Sequence, residues 1–162
     1  MLTYNIFDFT VETVNTRTGL AVAAKCLHQV GLLEQSMKSS LDILAKVGEQ
    51  PLREISDSTL QADMVSMNLT LLNTPDDFIL GMQENRTRKI IIAMKIYTNL
   101  GHVFHSLKPS HLGPLSLRMV ELTMNYGLVP SSPFAFALYG GVLVAVGNIA
   151  DGCRLGMYHC MC

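Results

Sequence analysis

Residues Pro109–Gly156 read PSHLGPLSLRMVELTMNYGLVPSSPFAFALYGGVLVAVGNIADGCRLG. In the first half, Leu112, Leu115, Met119, Leu122 and Tyr126 recur at spacings of 3, 4, 3 and 4, which is one face of an α-helix. Arg118, Glu121 and Asn125 keep the same rhythm on the opposite face, the side expected to meet water. Gly127 stops this helix because it accepts the left-handed conformation, and Pro130 prevents continuation. Ser131 or Ser132 then caps a second helix, with Pro133 at its first position, where a missing N–H costs nothing. That helix, Phe134 to Val146, is apolar nearly all round and is expected to be buried by neighbours. Ala135, Ala137, Gly140, Gly141 and Ala145 leave room for another backbone to come close. The stretch therefore reads as two antiparallel helices and the start of a third, a packing unit with no reaction centre in it.

Outward from this unit the same logic holds. About Asn85 to Ser106 is the most regular helix, with Ile90, Ala93, Tyr97, Leu100, Phe104 and Leu107 on one face and Lys95, Asn99 and His102 on the wet side. Thr74-Pro75-Asp76-Asp77 starts a short helix that Gly81 closes, its acids facing the dipole. Ser58 and Gln61 form a capping box for a helix presenting Leu60, Met64, Met67 and Leu71. Leu32 to about Val47 is a helix ended by Gly48 with Pro51 beyond, and Arg17 to about Val30 is another, broken at Gly31. Residues 1–16 show no period and are read as an irregular segment. No stretch reads as a strand. The expected fold class is all-α, a solenoid of α–α hairpins over about 17–48, 57–82, 85–127 and 133–162, unfinished at its C-terminal end.

An internal similarity suggests which kind of hairpin. Ala24, Gly31 and Ser36 are small residues spaced 7 and 5 apart, and Gly140, Gly147 and Gly152 repeat that spacing. Tetratricopeptide repeats, helix–turn–helix units of about 34 residues, need small residues at such offsets. The outer two allow close helix crossing and the middle one serves the turn. The copies lie 116 residues apart, not a multiple of the repeat, so a strict array is excluded and the middle is irregular hairpins.

Composition narrows the function classes. The 162-residue chain is 49% hydrophobic and only 15% charged, against roughly 25% charged for soluble domains, which suggests surface normally covered by more protein. A net charge of −1, with Arg86, Arg88 and Lys89 the only basic cluster, gives no footprint for nucleic acid. Tryptophan is absent, so a base-stacking surface is unsupported as well. Cys26 stands alone and Cys153, Cys160 and Cys162 crowd the end, a pattern expected of reduced thiols in a cytoplasmic protein. The N-terminus carries no cation before Arg17 and does not read as a signal peptide.

Three features bear on other chemistries. His102, His105 and His111 could share a metal, but no Asp or Glu lies between Glu84 and Glu121 to complete a site, and helix-end histidines also suit the dipole. Cys153, His159, Cys160 and Cys162 offer metal or thiol donors without the paired knuckles of a zinc site. The apolar run 134–150 is at the short limit of a membrane span, contains Asn148 and two glycines before the turn, and lacks basic flanks on its N-terminal side. Met64, Met67, Met82, Met94, Met119 and Met124 read as adaptable core filler. There is no phosphate-binding glycine loop and no nucleophile elbow, so catalysis, cofactors and metals have no support here.

From about Leu20 to Gly156 the chain resembles the tetratricopeptide-like segment that follows the AAA-type ATPase module in very large signalling kinases. The resemblance rests on Gly31-Leu-Leu-Glu-Gln-Ser-Met through Leu44-Ala-Lys-Val-Gly48-Glu. It is strongest in Met119-Val-Glu-Leu-Thr-Met-Asn-Tyr-Gly127 and Ser131-Ser-Pro-Phe-Ala-Phe-Ala-Leu-Tyr-Gly140. Such proteins join a serine/threonine-kinase-like domain, the ATPase, this segment, a GAF sensor and a histidine kinase. The resemblance implies architecture and not activity, because nucleotide-binding and phosphotransfer residues lie in the other domains. Where the family's last helix continues in an Ala- and Leu-rich stretch, this chain ends in Met-Tyr-His-Cys-Met-Cys. The last hairpin is thus expected to be half built, in a fragment of a longer chain or a divergent stand-alone descendant, with poor cover near Phe136, Leu143 and Val144. The expected function is a non-catalytic scaffold that packs against other domains of a signalling ATPase or kinase, or against protein partners. A small enzyme using the histidine cluster or the Cys-rich tail, and a membrane-anchored piece held by 134–150, are the alternatives.

Overall fold

The structure, a computed structural model, describes residues 31–49 and 56–161, with side chains through Tyr158. The irregular segment 1–16, the helix from Arg17 to Val30 with Ala24 and Cys26, and the thiols of Cys160 and Cys162 lie outside the described residues. Within them the fold is all-α. Seven α-helices follow in order: α1 Leu33–Lys46, α2 Asp57–Leu72, α3 Asp76–Leu80, α4 Arg88–Leu107, α5 Leu112–Tyr126, α6 Ser132–Ala145 and α7 Ile149–Met161. A short 3-10 turn, Pro109–His111, joins α4 to α5. The described residues hold no strand, only an isolated parallel bridge between Glu84 and Leu128.

The core forms around α4. Ile92, Ala93, Met94, Ile96, Tyr97, Leu100, Val103 and Phe104 are all buried, so this helix is covered on most sides by α1, α5 and α6. An apolar surface that wide is stable only inside a bundle. Consecutive helices pack from α4 through α7, whereas α1 lies on α4 and α2 on α5, each three helices further along. The predicted apolar face of α2 turns inward, with Met64 and Leu71 buried and Leu60 and Met67 partly so.

The local stops act as the sequence suggests. Gly31, Gly48, Gly127 and Gly147 all take positive φ, the region that L side chains enter only with strain. At Gly127 the requirement is double, because a Cβ would also collide with the carbonyl oxygen of Gln83. Several local readings change. Leu107, which the spacing puts on the apolar face of α4, is exposed at its last turn, and Arg118 reaches the buried Glu49 instead of facing only water. The cap of α2 is Ser56, whose hydroxyl accepts the Thr59 N–H at 3.3 Å, so the helix starts before the Ser58–Gln61 pair. Of the two expected caps of α6, Ser131 stands at the N-cap position but makes no side-chain cap bond. Ser132 lies inside the helix, its buried hydroxyl accepting the Val129 N–H at 3.0 Å and bonding Thr123 Oγ1 at 3.1 Å. Asn99 is not on a wet side, because α1 lies there and the Asn99 amide donates to the buried hydroxyls of Ser36 and Ser40, both at 3.0 Å. Tyr126, placed on the apolar face by its spacing, is mostly exposed at the last turn of α5. The poor cover expected near Phe136 and Leu143 is not found: both are buried with Ala135 and Tyr139, because α7 packs along α6 and sets the Tyr158 ring against Phe136. Of the three expected residues only Val144, with Val146 beyond it, faces outward.

Candidate functional site

Two polar clusters pin helices that are far apart in sequence. Glu49, just after the Gly48 turn, places its carboxylate in the core, with only 4% of the side chain exposed. Its Oε2 accepts from Arg118 Nη2 at 2.9 Å and from Tyr97 Oη at 3.3 Å, so α1, α4 and α5 meet at one anion. Burial pushes the Tyr97 phenol up and the negative Glu49 adds to it, so Tyr97 remains a donor. Desolvation opposes the charge on Arg118, but its bonds to Glu49 and Glu121 outweigh that and hold it cationic. Arg118 and Tyr97 thus answer the buried Glu49 charge, and losing Arg118 would leave it uncompensated.

The second cluster ties α7 back to α2 and α3. Asp76 Oδ1 accepts from Tyr158 Oη at 2.7 Å and from Arg154 Nε at 3.1 Å, with Arg154 Nη2 on the same oxygen. The Tyr158 hydroxyl, followed by Arg154, holds the Asp76 carboxyl below the usual carboxylate range. Arg154 Nη2 also reaches the carbonyls of Leu71 at 3.4 Å and Thr74 at 3.2 Å, adding a donor at the end of α2, where the Leu71 carbonyl already accepts the Thr74 N–H at 3.2 Å. Beside it, Asp151 Oδ2 accepts from Asn148 at 2.7 Å and Asn68 at 2.8 Å, and these amides, Asn68 first, lower its pKa. Tyr139 crosses the same seam to donate to the Met64 carbonyl at 3.0 Å, and burial raises its phenol to about 12.

The histidines are not gathered into a ligand set. His102 is exposed and lies against the Phe134 ring at 5.2 Å, His111 lies against Phe104 at 5.2 Å, and His105 is exposed. Aromatic contacts thus hold His102 and His111 against separate rings, and no group of three or more His, Cys, Asp or Glu among the described residues could hold a metal. Cys153 is a free, exposed thiol. The apolar run 134–150 is divided by the end of α6 and the Gly147 turn, and no described helix is long and apolar enough to cross a membrane.

What the surface does show is apolar. Val65, Leu69 and Leu72 occupy one face of α2, four and three residues apart, and are 59%, 55% and 48% exposed. Phe78 on α3 adds a ring that is 62% exposed. Beyond it lies a shallow depression of about 490 Å³ bordered by Phe78, Met82 and Tyr126. The sequence pattern marked the inward face of α2 and gave no sign of this outward one, although Val65, Leu69 and Leu72 fit the helical period equally well. Compared with known proteins, the chain matches no family model, no curated protein and no solved structure.

Proposed function

We propose that this chain is a non-catalytic helical-hairpin scaffold, tetratricopeptide-like in build, that docks other domains or protein partners in a cytoplasmic signalling protein of the ATPase–kinase kind. The observation that carries the reading is the row Val65, Leu69 and Leu72 with Phe78, large apolar side chains about half exposed on adjoining helices. Fully burying each such side chain is worth about 1.5–3 kcal/mol, so a partner that covers the row gains several kcal/mol before its ordering costs. Val65, Leu69 and Leu72 are neighbours along one helix face, and an exposed apolar row of that kind is a candidate contact surface. The close α6–α7 crossing at Gly140 and Gly152 supports the hairpin part of the reading. The resemblance supplies the class of protein, and the paired charged clusters tie together helices distant in sequence.

The test is affinity purification of the tagged chain from its native cell, beside a Leu69→Lys variant. A reproducible partner carrying an ATPase or kinase domain, lost with the variant, is the expected outcome. A soluble monomer that recovers no reproducible partner contradicts the reading.

A further inference from the structure

The loops before α4 and after α5 run side by side. Leu128 N–H donates to the Gln83 carbonyl at 3.0 Å, and Asn85 N–H donates to the Leu128 carbonyl at 2.7 Å. Asn85 Nδ2 locks the pair by donating to the Tyr126 carbonyl at 2.6 Å. Glu84 sits between the two bonded residues, so in extended backbone its own N–H and C=O point to the outer edge. Glu84 is exposed there, and among the described residues neither group has a hydrogen-bond partner. Two shallow depressions share Met82 in this region. One, about 490 Å³, is bordered by Phe78 and Tyr126 with Asp77. The other, about 350 Å³, is bordered by Leu128, Val129 and Pro133 with Glu84.

We propose that this edge and its two depressions form a docking site for an extended, apolar peptide of a partner protein that carries a Lys or Arg, held by strand addition to Glu84. The proposal rests on the scaffold reading and names one of its surfaces. Main-chain bonds to Glu84 supply the register, and the depressions receive apolar side chains. The charged residues lining them, Asp77 and Glu84, are both acidic and so favour a cation on the peptide. Arg86 reaches Glu84 at 3.8 Å with both side chains well exposed, a weak pair that an incoming cation displaces. A second copy of this chain suits the site poorly, since pairing two Glu84 edges sets like charges together. Residues 1–16 suit it poorly too, because their only charged residues are Asp8 and Glu12.

The probe is a short fluorescent peptide of alternating Val and Thr with a central Lys, titrated into the full chain and followed by anisotropy, with its Glu-for-Lys twin as control. The Lys peptide is expected to bind, the twin at least about tenfold more weakly. An Asp77→Asn, Glu84→Gln variant, checked for unchanged helicity, loses about tenfold for the Lys peptide. Hydrogen exchange at the Glu84 amide is expected to be fast in the free chain and to slow on binding. No binding, equal binding of the twins, or unchanged exchange at Glu84 overturns the proposal. So does a Glu84 amide already protected in the free monomer, which would put the chain's own residues in the site, or protected only in a dimer. A native partner that survives the Asp77→Asn, Glu84→Gln change but is lost with Leu69→Lys overturns this site alone. A wild-type chain without partners overturns the scaffold reading instead.

Discussion

Gly140 and Gly152 press backbone against backbone where α6 crosses α7. A Cβ on Gly140 would stand 2.7 Å from the Gly152 carbonyl oxygen, and one on Gly152 would stand 2.6 Å from the Gly140 carbonyl oxygen. Both obstacles are main chain, which cannot swing aside as a flexible side chain would. Gly140→Ala is therefore expected to destabilise the fold by about 1–3 kcal/mol through overpacking. Gly141, one residue on, has nothing within 4 Å of its would-be Cβ, so Gly141→Ala should stabilise by up to about 1 kcal/mol. Denaturant unfolding of the two variants checks both signs.

Removing Arg118 strands the Glu49 carboxylate in the core. Breaking a fully buried pair costs about 3–5 kcal/mol, and because the Arg118 side chain is 35% exposed we expect about 2 kcal/mol for Arg118→Met. Adding Glu49→Gln to that variant should restore part of the loss, since no buried charge then lacks its partner. A double variant no more stable than Arg118→Met contradicts this account of the cluster.

The seam at Asp76 and Asp151 sets an acid limit. Both carboxyls sit below their ordinary value of 3.8 in the folded chain. As pH falls below about 4 the unfolded chain takes up these protons first, so stability is present above that range and is lost as pH drops through the folded values. Thermal melts between about pH 6 and pH 3 should fall less steeply for Asp76→Asn and Asp151→Asn than for the native chain. Equal steepness would mean that other carboxyls govern the acid limb.

Ser56 and Ser58 separate the observed cap of α2 from the expected one. Ser56→Ala is predicted to cost about 0.5–1 kcal/mol, and Ser58→Ala to be close to neutral. Chemical denaturation resolves the difference, and the reverse order would restore the Ser58–Gln61 capping box.

Local features were legible in the residues because they depend on near neighbours. The periods of Leu115, Met119 and Leu122 and of Met64 and Leu71 marked faces that are buried, and the breaks at Gly48, Gly127 and Gly147 are positive-φ turns. The spacing of Gly140, Gly147 and Gly152 even anticipated a close crossing around a turn. Pairings across the fold were not legible. Arg154 meets Asp76 from 78 residues away, Asn68 meets Asp151 from 83, and Arg118 meets Glu49 from 69. A helical wheel ranks polar faces as wet and cannot show that α1 lies over Asn99, or that Arg118 reaches into the core. The candidate surface was missed for a related reason: α2 has apolar residues on two faces, and only the packing of α5 decides which one is left outside.

The most direct test of the docking role is site-specific photo-crosslinking in the native cell, with the reactive group placed in turn at Leu69 and at Asp63. Both positions are exposed, but they lie on different sides of α2. The scaffold account predicts a discrete protein adduct from position 69 that is absent from position 63. No adduct at 69, or the same diffuse pattern from both positions, would contradict it.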